Sequence, residues 1–231
     1  MLAFPLITWH DWLVQKRTLQ ASTLLLAIVM ISIASACGGS EDTSGAEAFA
    51  EYERGVTLQE QGNLARALEA YNAALSINPR LVEAYAERGF IYISYNNWSL
   101  ALANLNRAIE LDPDLAKAYN YRGMVFDSLQ DLDNAILNFT RAIQLDSNMQ
   151  DAYVNRSKVY FDSEDYDGAV DDLSSAISLD PQSATLYLVR GQVYLRVDDL
   201  DRAIGDLQKV LELTQDESMI IFAKQLLSAL Q

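Results

Sequence analysis

The residues that most often carry enzymatic chemistry are nearly missing from this chain. Its one His is His10 and its one Cys is Cys37, so a zinc site of His and Cys ligands cannot be assembled and no disulfide can close within the chain. Beyond residue 37 there is no imidazole, no thiol, no phosphate-cradling glycine loop and no Ser in a strand–turn–helix setting. Paired carboxylates could hydrolyse a glycoside, but with 32 Asp and Glu against 17 Lys and Arg some pair is guaranteed by density alone. Ser163-Glu164-Asp165-Tyr166-Asp167-Gly168 looks like half a calcium loop, yet Ser163 and Ser174 stand where that loop needs its first acid and its last Glu. The expectation is a non-enzyme with no cofactor and no metal. A formal charge of −15 also argues against nucleic acid or an anionic membrane surface as a partner, since both need a basic footprint.

Binding chemistry is left, and the bases are placed suggestively. Arg54, Arg88, Arg122, Arg156 and Arg190 recur in an unbroken column. Such a ladder could grip an anionic partner. Each Arg, however, lies four residues before Leu58, Tyr92, Phe126, Tyr160 or Tyr194, on the packing side of its helix. A structural role is therefore expected, each guanidinium bonding an acid or a helix-end carbonyl. Asn97-Trp98-Ser99, Asn138-Phe139-Thr140 and Asn155-Arg156-Ser157 match the glycosylation sequon without pointing to a function.

The same spacing governs the elements that hold these residues. A shift of 34 aligns Gly55, Gly89, Gly123, Ser157 and Gly191, and likewise Ala67, Ala101, Ala135, Ala169 and Ala203. A large apolar column runs Tyr71, Leu105, Phe139, Leu173, Leu207, and Pro79, Pro113 and Pro181 close their units. Each unit reads as a helical hairpin. In 82–115, Tyr85, Gly89 and Tyr92 recur at helical spacing, Tyr95-Asn96-Asn97-Trp98 interrupts, and Leu102, Leu105, Ala108 and Ile109 resume. Small residues at 89 and 101 let the two backbones approach. Asp112-Pro113 marks the boundary, because the residue before Pro avoids helical angles. The units are 48–81, 82–115, 116–149, 150–183 and 184–217.

This pattern resembles the tetratricopeptide repeat, a 34-residue helix–turn–helix family. The resemblance implies an all-α, right-handed superhelical solenoid of five repeats whose first helices line a concave groove for a peptide or protein. Carried onto this sequence, the groove takes Phe49, Tyr52, Val56, Ala86, Phe90, Ile93, Met124, Val154, Phe161, Leu188 and Leu195 as apolar members. Glu60, Glu83, Asp127, Asp151 and Asp162 are its acids, and Lys117, Lys158 and Arg196 its bases. Only Lys117, Asn120 and Lys158 approach the family's clamp for a terminal carboxylate. The first unit departs from the pattern, with Glu51 where later units have Tyr85, Tyr119, Tyr153 and Tyr187.

Both flanks carry signals. Lys16 and Arg17 precede an apolar run from Leu19 to Ala36, which ends in small residues before Cys37, as in a secretory signal. Ala34-Ser35-Ala36-Cys37 resembles the processing site of a bacterial lipoprotein, with Ala34 where that family more often has Leu. The resemblance implies cleavage over 1–37, lipidation of Cys37, and an extracytoplasmic, membrane-anchored protein. An uncleaved helix is the alternative, since about 18 apolar residues just span a bilayer with Lys16 and Arg17 inside. A plain signal cut after Ala36 is the third. Residues 38–45 read as a flexible tether, able to reach roughly 25–29 Å. At the other end, 218–231 read as a helix that covers the last repeat. Capping boxes are expected at Ser44 with Glu47 and at Thr214 with Glu217. Ile220, Ile221 and Leu227 widen the last helix's apolar stripe, so self-association is an alternative to packing.

Together these features predict a tethered scaffold that binds a protein segment in its groove, in a setting such as envelope assembly or secretion. The alternative is a structural or self-associating spacer with no dedicated ligand.

Overall fold

The computed structural model describes residues 43–230. The expected signal, the Cys37 lipidation site and residues 38–42 lie outside the described residues. Eleven helices and no strand are found among the described residues, and none of these helices is long and apolar enough to cross a membrane. They alternate as first and second helices of hairpins: α1 (Thr43–Glu60) with α2 (Leu64–Ile77), α3 (Val82–Ser94) with α4 (Trp98–Leu111), and α5 (Ala116–Ser128) with α6 (Leu132–Leu145). Then follow α7 (Gln150–Asp162) with α8 (Tyr166–Leu179), α9 (Ala184–Arg196) with α10 (Leu200–Leu213), and the single α11 (Glu217–Ala229).

Local chemistry explains why every hairpin turns at the same place. The residue two before each second helix adopts left-handed backbone angles: Gly62 at φ 77°, Asn96 at 54°, Gln130 at 60°, Glu164 at 65° and Asp198 at 61°. The next residue is always Asn or Asp, and its side chain caps the second helix. Asn63, Asn97, Asp131, Asp165 and Asp199 accept from the backbone N–H three residues on. The calcium-like segment is thus the fourth turn, with Asp165 capping α8. At the far end of each second helix, Asn78, Asp112, Asp146, Asp180 and Thr214 accept from the N–H two residues ahead and start the link to the next helix.

Packing follows the small and large columns. Tyr71, Leu105, Phe139, Leu173 and Leu207 are all at most 1% exposed. In the first three units their room is made by the glycine opposite: a Cβ added at Gly123 would lie 2.6 Å from the Phe139 ring, one at Gly55 2.5 Å from Tyr71, and one at Gly89 2.8 Å from Leu105. Each second helix also packs on the first helix of the next unit, and α3 touches α1 and α5 while α5 touches α7. No comparable contact joins successive second helices. First helices therefore line the tighter inner side of the coil and second helices the outer side.

The ends differ from the sequence expectation. α1 already includes Thr43, so residues 43–45 are helical rather than tether and Ser44 lies within the helix rather than capping it. Good helix formers at Ala46, Glu47, Ala48 and Ala50 favour that extension. α11 is capped by Asp216, whose side chain accepts from Met219 N–H at 2.9 Å, not by Thr214, which makes the inter-unit turn. α11 buries Met219, Ala223 and Leu226 against Ala184, Leu188, Leu207 and Val210. Ile220 and Leu227 are half-buried, whereas Ile221 stays 56% exposed.

Candidate functional site

Along the inner face, first helices are joined from unit to unit by polar side chains. Tyr71 donates to Gln59 Oε1, Gln59 Nε2 donates to Glu87 at 2.9 Å, and Lys117 Nζ pairs with the other Glu87 oxygen at 2.8 Å. Glu87 is 4% exposed, so its charge is tolerated because Gln59 and Lys117 both donate to it. One unit further, Asn155 Nδ2 donates to Asn120 Oδ1 at 3.0 Å. Lys158 reaches both Asp127 oxygens at 3.0 Å and Asp162 at 2.7 Å.

Several expected groove members are consumed by this framework. Asn120 is 5% exposed and bonded to Asn155, so it offers nothing to a ligand. Ala86 and Val154 are buried between helices, and Leu188 is fully buried because α11 covers the fifth unit. Phe161 lies edge-on to Tyr166 at 5.5 Å, packed against the fourth unit's core, with Arg196 over the same Tyr166 ring at 5.9 Å. Lys117 and Lys158 are partnered, so no terminal-carboxylate clamp is assembled from Lys117, Asn120 and Lys158. Phe49 remains 47% exposed beside Tyr52, at 5.7 Å between ring centres. Val56, Phe90, Ile93, Met124 and Leu195 are half-buried, and Phe90 stacks obliquely on Tyr121 at 4.7 Å. Gln59, Glu87, Tyr121 and Asn155 are inner-face residues that the sequence reading missed. A signal was available, because each aligns at 34-residue spacing with a residue it did place there or beside one.

The phenols of this face are held neutral. Burial pushes Tyr52 up to about 12, with the Glu87 carboxylate adding to the effect. Tyr71 and Tyr121 are also raised, for the same two reasons. The acids are not gathered into a metal site: no group of three His, Cys, Asp or Glu able to hold an ion is found among the described residues.

The Arg column turns away from the groove; Arg54, Arg156 and Arg190 bond an acid as expected, whereas Arg88 and Arg122 bond side-chain amides in place of an acid or a helix-end carbonyl. Each Arg of units 2 to 5 spans the second helices of its own and the preceding unit. Arg88 donates through Nε to Asn104 at 2.7 Å and through Nη1 to Asn72 at 2.8 Å. Arg122 repeats this with Asn138 and Asn106. Arg156 makes two bonds to Asp172 and one to Thr140, and Arg190 two to Asp206 and one to Ser174. Arg54 has Ala70 at the matching position and pairs with Glu51 in its own helix instead. The sequons are absorbed too: Asn97 is a helix cap, Asn138 is 3% exposed and Asn155 is bonded to Asn120.

Family models of the tetratricopeptide repeat match residues 54–125, 116–149 and 184–217, and a TPR-repeat model matches 157–198. The chain belongs to the tetratricopeptide-repeat family. Proteins of this family bind peptides or other proteins, and these repeats form a scaffold of that kind. Among solved structures, the chain is similar to MamA, at 26% identity over 71% of this chain and 96% of that one, with a TM-score of 0.62. It is similar in fold to YrrB, described as a TPR protein with an unusual peptide-binding site, at 21% identity over 77% and 92% of the two chains, with a TM-score of 0.59. The third is pilF of Pseudomonas aeruginosa, at 16% identity over 80% and 86%, with a TM-score of 0.70. No curated protein sequence matches the chain.

Proposed function

We propose that this tetratricopeptide-repeat chain is an extracytoplasmic scaffold, tethered to a membrane through Cys37 or its apolar leader, that holds an extended or helical segment of another protein in its inner groove. The observation that carries the reading is the inner face itself: a polar framework locks the first helices together, while Phe49, Phe90, Ile93 and Met124 keep apolar surface beside it. Such anchors supply affinity, and the flanking charges of Glu83 and Arg196 set register. Envelope assembly or secretion is the setting proposed, resting on the leader and its lipoprotein-like end.

The test is affinity capture on the full chain and on a Phe49→Glu, Phe90→Ser variant, with melting curves for both. A partner held by the parent and lost by the variant at an unchanged melting temperature supports the groove. The same proteins on both, or none on either, overturns it. A second reading, a self-associating spacer, is favoured by the exposed Ile221 on α11. Sedimentation that shows only monomer at tens of micromolar removes it.

A further inference from the structure

The outer side of the third unit has a concavity of about 230 Å³, walled by α5 and α6. Two guanidiniums line it. Arg122 and Arg141 both lie against the Tyr119 ring, at 5.3 and 5.8 Å from its centre, and Leu137, Asn138 and Gln144 complete the wall. No carboxylate pairs with Arg122 among the described residues; its acceptors are the neutral amides of Asn138 and Asn106. Arg141 reaches Asp114 at 3.3 Å, but that carboxylate is 80% exposed, and pairs of this kind hold their partners weakly.

Comparison along the repeat shows that the third unit alone has a base at the Arg141 position without an acid three residues on. In the second unit the equivalent base, Arg107, has an acid on its own helix, Glu110, three residues on at 3.0 Å. In the fifth, Lys209 has Glu212 three residues on at 2.8 Å. The fourth has Ser175 and Ser178 at these places, and the first Ala73 and Ser76. Only the third unit keeps the base, Arg141, while replacing the acid by Gln144. An amide there can donate to an anion where Glu would repel it. Two cations and the Gln144 amide lining one hollow, in a chain with a net charge of −15, form a local reversal of sign.

We propose that this hollow is an oxyanion subsite, which takes a carboxylate or phosphate group between Arg122 and Arg141 with Gln144 donating to it. Planar guanidiniums suit either group by paired hydrogen bonds. The subsite lies on the opposite side of the helices from the groove and does not depend on it.

The test is a titration of the full chain, labelled with nitrogen-15 and followed at the Arg side-chain Nε–H signals. Inorganic phosphate and acetate are added separately at constant ionic strength, with chloride as the reference. Saturable movement of the Arg122 and Arg141 signals is expected; the anion that saturates at the lower concentration tells phosphate from carboxylate. Gln144→Glu rebuilds the pair that Arg107 and Glu110 already make in this fold, so it should leave the other signals in place and weaken binding about tenfold or more. Arg141→Gln should do the same. Non-saturating movement with both anions, or a Gln144→Glu protein that titrates like its parent, overturns the proposal.

Discussion

Units 2 and 3 differ from units 4 and 5 in the groups that hold one Arg, most of all in the charge of its forward partner. All four place an Arg between two second helices, with the bonds 16 residues forward and 16 back. In the earlier pair the forward partner is Asn104 or Asn138, whose amide accepts from the Arg and donates to the carbonyl of Leu100 or Asn134. In the later pair it is Asp172 or Asp206, which cannot donate and instead takes a second bond from the guanidinium. Burial lowers Arg88 and Arg122 from the ordinary Arg value. Burial acts in the same sense on Arg156, but the Asp172 bonds outweigh it and the net shift is upward; Arg190 is raised by its bonds to Asp206. Geometry belongs to the fold and is shared, whereas charge compensation is a local choice. The units that lack the carboxylate include the one whose outer hollow is cationic.

The largest expected effect comes from removing the partner in the compensated half. Asp172→Ala leaves Arg156, whose side chain is 15% exposed, without its counter-charge. A loss of about 3–5 kcal/mol should appear in urea unfolding. A loss no larger than that of Asn138→Ala would erase the distinction between the halves.

Alkaline pH should act on the other half. Tyr52, Tyr71 and Tyr121 lie in the first three units around Glu87, and all three are raised. A phenol raised in the folded state contributes stability that is fully present below about pH 10, its unfolded value, and is lost as pH rises through the folded one. The melting temperature should therefore fall between pH 10 and the Tyr52 value of about 12. Amide protection should disappear first in units 1 to 3, which solenoids allow because stability is largely local. Opening that starts in units 4 and 5 would contradict this.

The smallest effect sharpens the comparison. Asn138→Asp should convert unit 3 to the geometry of unit 4, giving up the 2.7 Å bond to the Asn134 carbonyl for a second bond to Arg122. A gain of about 1 kcal/mol is expected at neutral pH in urea unfolding. No gain would mean that the carbonyl bond is worth as much as the charge.

Much of the fold is legible in the sequence because repetition exposes it. The columns at Gly123 and Phe139, at Ala135 and at Asp131 each state one packing or capping rule five times over. Thr214 shows how the same logic could have been pressed further. It lies 34 residues after Asp180 and so shares the inter-unit turn, which leaves the cap of α11 to Asp216. The Arg partners were also readable, since the positions 16 after each Arg run Asn104, Asn138, Asp172, Asp206. The groove was harder to read. Leu188 is hidden by a helix outside the repeat and Asn120 by a bond to the next unit, while Phe161 packs edge-on to Tyr166. The first two depend on contacts between units that a single-unit pattern does not contain.

The bridging Arg has a mechanical consequence. Because each guanidinium fastens a second helix to the one before it, pulling on the two ends loads these fasteners in series. Release of one frees a single hairpin, whose 34 residues lengthen the chain to roughly 112–122 Å when drawn straight. Under tension the molecule should yield in even steps of that length, with the amide-held Arg88 and Arg122 giving way before the carboxylate-held Arg156 and Arg190.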